Sequence, residues 1–179
     1  METTQDIYQT AIKFAGEAHR NQLVPGSEAN YLLHISNVAM EVLFAHKHKA
    51  NFNLDFAVQV AILHDVIEDT EISFTEVADK FSIKIAQAVQ ALSKDKKIKK
   101  SLQLTDSLKR ILSQPKEVAI VKLADRITNL QKPPLHWTTE KKQTYLEQAI
   151  NIHKQLASSN EYLANRLQQK IEAYKLNIS

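Results

Sequence analysis

Apolar residues recur at helical spacing along almost the whole of this chain. Ile7, Ala11, Phe14, Ala15 and Ala18 fall on one stripe at i, i+4, i+7, i+8 and i+11, the mark of an amphipathic helix. A break from Val24 to Ala29, carrying Pro25 and Gly26, separates it from a second helix marked by Ile35, Val38, Ala39, Val42 and Leu43. Asn53 is placed to cap the apolar run Leu54 to Leu63, which ends in His64-Asp65. Ser73 with Glu76 forms a capping box for a short helix, and Ser82 can cap another that runs to about Leu92. A polar, lysine-rich link from Ser93 to about Lys100 follows. Further helices are predicted from about Leu102 to Leu112, from Pro115 to Leu130 (closed by Pro133-Pro134), from Thr139 to Leu156 and from Asn160 to Leu176. No segment alternates cleanly with period two. The predicted fold is all-α: a single compact bundle of about eight to ten helices over residues 1–179, with the lysine-rich link at 93–100 as its loosest part.

Composition narrows the function. Two Gly and four Pro in 179 residues suit helices with short connections and not a turn-rich β protein. Apolar residues make up 44% and charged residues 24%, ordinary for a globular domain. The absence of cysteine excludes disulfides, thiolate zinc sites and thiol catalysis. No run approaches the ~18–20 apolar residues of a membrane span, and the polar start METTQDIYQT has no signal-peptide pattern, so a cytoplasmic protein is expected. A net charge of +3 suits a small polyanionic substrate without pointing to nucleic acid or membrane as a partner. Nothing in the pattern fixes an oligomeric state.

The chemistry concentrates in a few polar residues on apolar helices. Adjacent helical residues diverge by about 100°, so His64 and Asp65 can converge only on a point at the flank or end of their helix, and a metal ion is such a point. Taken alone, the pair reads as a core histidine beside a solvated aspartate, and its context is what points to a metal. In a helical continuation, Glu68 and Asp69 would each lie one turn beyond His64 and Asp65 on the same face. Three carboxylates so close repel unless a cation joins them or the helix end is simply solvated. His34 stands among Tyr31, Leu32, Leu33 and Ile35. Asp125 sits in the apolar run Val118 to Ile127, where Arg126 or Arg20 could pair with it. Lys122 is read as snorkelling from that helix, and Lys94 to Lys100 as a solvated link able to touch a polyanion. Mixed His and carboxylate ligands suit Mn²⁺, Fe²⁺, Zn²⁺ or Mg²⁺ without choosing among them.

The order His34, His64-Asp65, Asp125 resembles the H…HD…D signature of the HD phosphohydrolases. The strings HRNQ at 19–22, YLLH at 31–34, LHDVIEDT at 63–70 and VKLADRITNL at 121–130 resemble the hydrolase domain of the Rel/Spo alarmone enzymes, and the length resembles the small alarmone hydrolases. The likeness runs from about Ile7 to Tyr145. It implies an enzyme that removes the 3′-pyrophosphate of ppGpp, pppGpp or ppApp and releases pyrophosphate. It also implies one divalent ion per chain, Mn²⁺, held by His34, His64, Asp65 and Asp125. Glu68 and Asp69 correspond to the pair that handles the attacking water, and Asn129, Lys141, Tyr145 and Arg20 become candidate substrate contacts. The sequence departs from the family in the loop Leu23 to Glu28, which lacks the Arg-Lys pair usual before the first histidine. Asn30 and Ile35 stand where prolines are usual. These departures leave the metal chemistry intact and loosen guanosine specificity, so another nucleotide such as NADPH, or a non-catalytic nucleotide sensor, is the alternative.

Overall fold

The computed structural model describes residues 2–178, and among them every regular element is helical. Helices α1 (Thr4–Ala18), α2 (Leu32–His48) and α3 (Leu54–Leu63) are followed by the single turn α4 (Val66–Asp69), then α5 (Phe74–Lys80) and α6 (Ile83–Leu92). The second half comprises α7 (Lys100–Leu112), α8 (Lys116–Asn129), α9 (Thr139–Leu156), a 3₁₀ turn (Ala157–Ser159) and α10 (Glu161–Leu176). The sole β feature among the described residues is an isolated antiparallel bridge between Leu23 and Asn30, which pins the base of the loop holding Gly26. That glycine has φ +78°, a conformation a side chain rarely tolerates.

Local rules explain the helix starts. Asn53 accepts from the Phe56 N–H, Ser82 from Ile85, Thr138 from Lys141 and Asn160 from Leu163, each satisfying an otherwise orphaned donor. Ser73 and Glu76 form the predicted capping box, and Thr3 with Asp6 forms another.

Two helices form the axis. α3 packs against α1, α2, α6 and α8, and α8 packs against α2, α3, α6, α7, α9 and α10. α8 is buried around most of its circumference, from Glu117 through Ile127 except Lys122, as expected of a central helix. Its Val118, Ile120, Leu123 and Ile127 join Ile62 and Leu63 of α3, Ile35 of α2 and Leu163 and Leu167 of α10 in one core cluster.

The structure departs from the sequence reading in two places that matter for function. The apolar helix does not run on through His64-Asp65: α3 stops at Leu63 and α4 begins at Val66, although Asp69 N–H still reaches the Asp65 carbonyl at 2.9 Å. The lysine-rich segment is strapped down and not merely solvated. Arg110 donates to the carbonyls of Gln90 and Ser93, Gln103 donates to the carbonyls of Asp95 and Ile98, and Lys94 and Lys96 reach Glu68.

One ion pair closes α10 onto α2. Arg166 donates from Nε and Nη2 to the Glu41 carboxylate at 2.6–2.8 Å, and Glu41 is buried. Removing one partner of such a pair leaves an uncompensated charge, while replacing both by apolar residues is close to neutral. Arg166→Leu is therefore expected to lower unfolding stability by about 1–3 kcal/mol, the discount reflecting the partly exposed arginine. The double change Glu41→Met, Arg166→Leu should recover most of that loss in urea unfolding.

Candidate active site

The break between α3 and α4 places the His64 ring inside the bundle, opposite His34 from the first turn of α2 and Asp125 from α8. Their Nε2 atoms are 3.3 Å apart. Asp125 Oδ1 lies 3.5 Å from His34 Nε2 and 3.9 Å from His64 Nε2. Asp65 Oδ2 is 2.9 Å from His64 Nε2 and 3.8 Å from His34 Nε2. His34, His64 and Asp125 form a buried group whose ligand atoms all fall within 4.8 Å of one another, and Asp65 closes the open side.

Supporting contacts orient each of these groups. His64 Nδ1 lies 2.7 Å from the Ala61 carbonyl, which accepts only. Nδ1 therefore carries hydrogen, which leaves Nε2 as the inward-facing atom that can bind a cation once its own proton is given up. Tyr31 donates its hydroxyl to Asp65 Oδ2 at 2.5 Å. Asp125 pairs through Oδ2 with Lys122 Nζ at 2.8 Å and accepts from Asn129 through Oδ1. The partner considered for Asp125 in the sequence, Arg126 or Arg20, is thus Lys122, which does not snorkel away.

Charge and burial set the protonation states. Burial disfavours the imidazolium at His64, but the Asp65 and Asp125 carboxylates outweigh it and hold that ring up at about 9. Burial and the neighbouring His64 depress His34. Burial opposes ionisation of Asp125 as well, yet Lys122 and His64 bring its carboxyl down to about 2. The donor set fits a divalent ion: neighbouring nitrogens around an ion bonded at about 2.0–2.1 Å stand about 3.3–3.4 Å apart in tetrahedral coordination, close to the spacing of the two rings.

Asp65 and Asp125 of the cluster line a cavity of about 630 Å³, with His34 and His64 buried behind them. Glu68, Asp69, Asn129, Lys141 and Tyr145 line it, as do Lys94, Lys100, Lys122 and Arg126. Asp69 is positioned by a relay: His19 Nδ1 meets Gln22 Oε1 at 2.6 Å, and Gln22 Nε2 donates to Asp69 Oδ2 at 3.4 Å. The partly desolvated position of Asp69, with the Asp65 and Glu68 carboxylates beside it, holds its pKa above the usual carboxylate range. Lys141 lies 4.2 Å over the Trp137 ring, and Tyr145 stacks under Arg126 at 4.5 Å.

Arg20 is elsewhere. It lines a neighbouring groove with Glu17, Asn21 and Thr70, which meets the main cavity only at Asp69. Leu23 and Val24, from the loop that lacks the Arg-Lys pair, do not line the cavity either. Sequence reasoning missed Arg126 as a wall residue. It is buried, and its Nε and Nη1 have no hydrogen-bond partner. Its position directly after Asp125, on a helix buried on most sides, was the available signal.

Two histidines and two aspartates thus converge at the centre of a helical bundle, an arrangement able to hold a metal ion. The HD domain family matches residues 11–162, and the chain belongs to the HD domain family. Among similar proteins, the guanosine-3′,5′-bis(diphosphate) 3′-pyrophosphohydrolase MESH1 of Danio rerio is 30% identical over 163 residues, 88% of each chain. The guanosine-3′,5′-bis(diphosphate) 3′-pyrophosphohydrolase of Aquifex aeolicus is 31% identical over 83% of this chain, which spans 21% of that longer protein. A solved structure described as a metazoan ortholog of SpoT that hydrolyzes ppGpp superimposes with a TM-score of 0.80 at 24% identity, covering 93% of this chain and 94% of that one. That last likeness is one of fold.

The compact ligand group carries a stoichiometric expectation. Elemental analysis of protein loaded with Mn²⁺ or Zn²⁺ should give one ion per chain, and Asp125→Ala should retain none after gel filtration. Lys122→Met removes only the counter-charge of Asp125 and should keep the ion. Two tightly held ions per chain would contradict the assignment.

Proposed function

We propose that this protein is a metal-dependent 3′-pyrophosphohydrolase of alarmone nucleotides, acting on ppGpp, pppGpp or ppApp in the cytoplasm with Mn²⁺ held by His34, His64, Asp65 and Asp125. One observation carries the reading: a single nucleotide-sized cavity is lined by Asp65 and Asp125, which contact the two buried histidines, together with two further carboxylates and a set of cations. The names of the relatives supply the substrate class, since enzymes similar along most of the chain are called guanosine-3′,5′-bis(diphosphate) 3′-pyrophosphohydrolases.

When bound, the divalent ion polarises a phosphoryl oxygen and acidifies water. The chain's own residues do the remaining work. Glu68 and Asp69 face the cavity beside the cluster and take the proton as water adds to phosphorus. The raised pKa of Asp69 suits it to hold that proton and pass it to the departing 3′-oxygen. Water thus adds across the P–O bond, giving a 3′-hydroxyl and free pyrophosphate. Asn129 fixes Asp125 and borders the substrate. Lys100 and Lys141 offer positive charge to the phosphates, and Tyr145 supplies an aromatic wall.

Two outcomes follow for activity. Glu68→Gln and Asp69→Asn should leave metal content near wild type and lower kcat by about 10²–10⁴, the range for loss of a general acid–base group. Full activity in both variants would move the water chemistry to other residues. The assay compares ppGpp, ppApp, NADPH and simple nucleotides with products identified. The Arg-Lys pair is absent, and the Gln148 side chain in the cavity wall presents either a donor or an acceptor by amide rotation. Discrimination between ppGpp and ppApp in kcat/KM is therefore expected to stay below about 100-fold, or about 2.7 kcal/mol. A ratio above about a thousand, roughly 4 kcal/mol, would mean that fixed groups read the guanine edge.

A further inference from the structure

Glu68 does not face the cavity unaccompanied. Its Oε1 lies 2.5 Å from Lys94 Nζ, and its Oε2 accepts from the Lys94 backbone N–H at 2.8 Å. The two side chains differ in freedom: the Glu68 side chain is 13% exposed and that of Lys94 52%. An ammonium at this distance neutralises the carboxylate and occupies the lone pair that would receive a proton from water. A base so engaged is held in place but blocked.

Lys94 lines the same cavity as Asn129, Lys100 and Lys141, so the group that blocks Glu68 is within the space a substrate fills. We propose that Lys94 is a ligand for the substrate's pyrophosphoryl group, resting on Glu68 until that group enters. Its transfer frees Glu68 Oε1 while the Lys94 backbone N–H keeps Oε2 in place. The proposal rests on the role given to Glu68 above.

Charge decides the direction of exchange. A carboxylate carries one negative charge, whereas a phosphate group carries about −1.5 to −2 near neutral pH, and Coulomb attraction at equal distance scales with that charge. Lysine's flexible four-carbon stem lets a half-exposed ammonium move without its backbone. Lys122, by contrast, is only 12% exposed and fixed on Asp125. The chemical class that draws Lys94 away is a nucleotide bearing two linked phosphates. A monophosphate, with less total charge and shorter reach, draws it less strongly.

The test compares Mn²⁺-loaded wild type, Lys94→Met and Lys96→Met. Calorimetry reads affinity for inorganic pyrophosphate, and steady-state kinetics read ppGpp hydrolysis. Lys94→Met is expected to weaken pyrophosphate binding and raise KM at least tenfold, with kcat within twofold of wild type, because the amide still holds Glu68. Lys96 touches only the Glu68 carbonyl, at 2.9 Å, and Lys96→Met should leave pyrophosphate affinity within twofold. If Lys94→Met instead lowers kcat with KM and pyrophosphate affinity unchanged, Lys94 is a fixed prop for Glu68 and the proposal is wrong. Equal weakening by both variants would also overturn it, since the effect would then be diffuse charge. Should wild type hydrolyse no 3′-pyrophosphorylated nucleotide, the functional reading falls, while the pyrophosphate affinities still decide the role of Lys94.

Discussion

Ionisable groups placed inside an apolar bundle must be compensated, and this molecule is organised around that requirement. His34, His64 and Asp125 are buried where Ile35, Leu63 and Leu123 also sit. An isolated carboxylate there would cost several kcal/mol. The surrounding contacts read as answers to it: Lys122 and Asn129 on Asp125, Tyr31 on Asp65, and the Ala61 carbonyl on His64. The partners come from α2, from the end of α3 and from α8, so the polar centre and the packing of three helices are one arrangement. A cation at the cluster would bind all three helices at once and stabilise the folded state in proportion to its affinity.

Much of this was legible in the sequence because the rules concerned are local. Asn53, Ser73, Ser82 and Asn160 announce helix starts by chemistry that acts over three residues. Asp125 stood out as a carboxylate within the apolar run Val118 to Ile127. What was not legible depended on contacts between distant segments. Periodicity carried the α3 pattern into Glu68 and could not show that the chain breaks at His64-Asp65, since both residues are compatible with helix. The lysine-rich segment looked solvated by composition, yet Lys94 and Glu68, 26 positions apart, meet in space. Arg20 is close to Gln22 in sequence, but the turn after α1 sends it into the neighbouring groove.

Most carboxylates of the cavity and several of its cations come from different segments. Asp65, Glu68, Asp69 and Asp125 belong to α4, α8 and the junction before α4, with Lys122 and Arg126 on α8 beside Asp125. Lys94, Lys100 and Lys141 come from the strap before α7, from the first residue of α7 and from the first turn of α9.

This difference of origin has a consequence for descent. His34, His64 and Asp125 are buried on or beside packed helices, where a substitution disturbs the core. Lys94, Lys100 and Lys141 lie on a connecting strap and on helix starts, where residues change with little effect on packing. Drift in segments 93–100 and 131–141 can therefore remodel which anion is admitted while the reacting centre is inherited unaltered. A molecule built this way can change the anion it admits by editing its connections, while the buried histidines and Asp125 stay where the helix packing holds them.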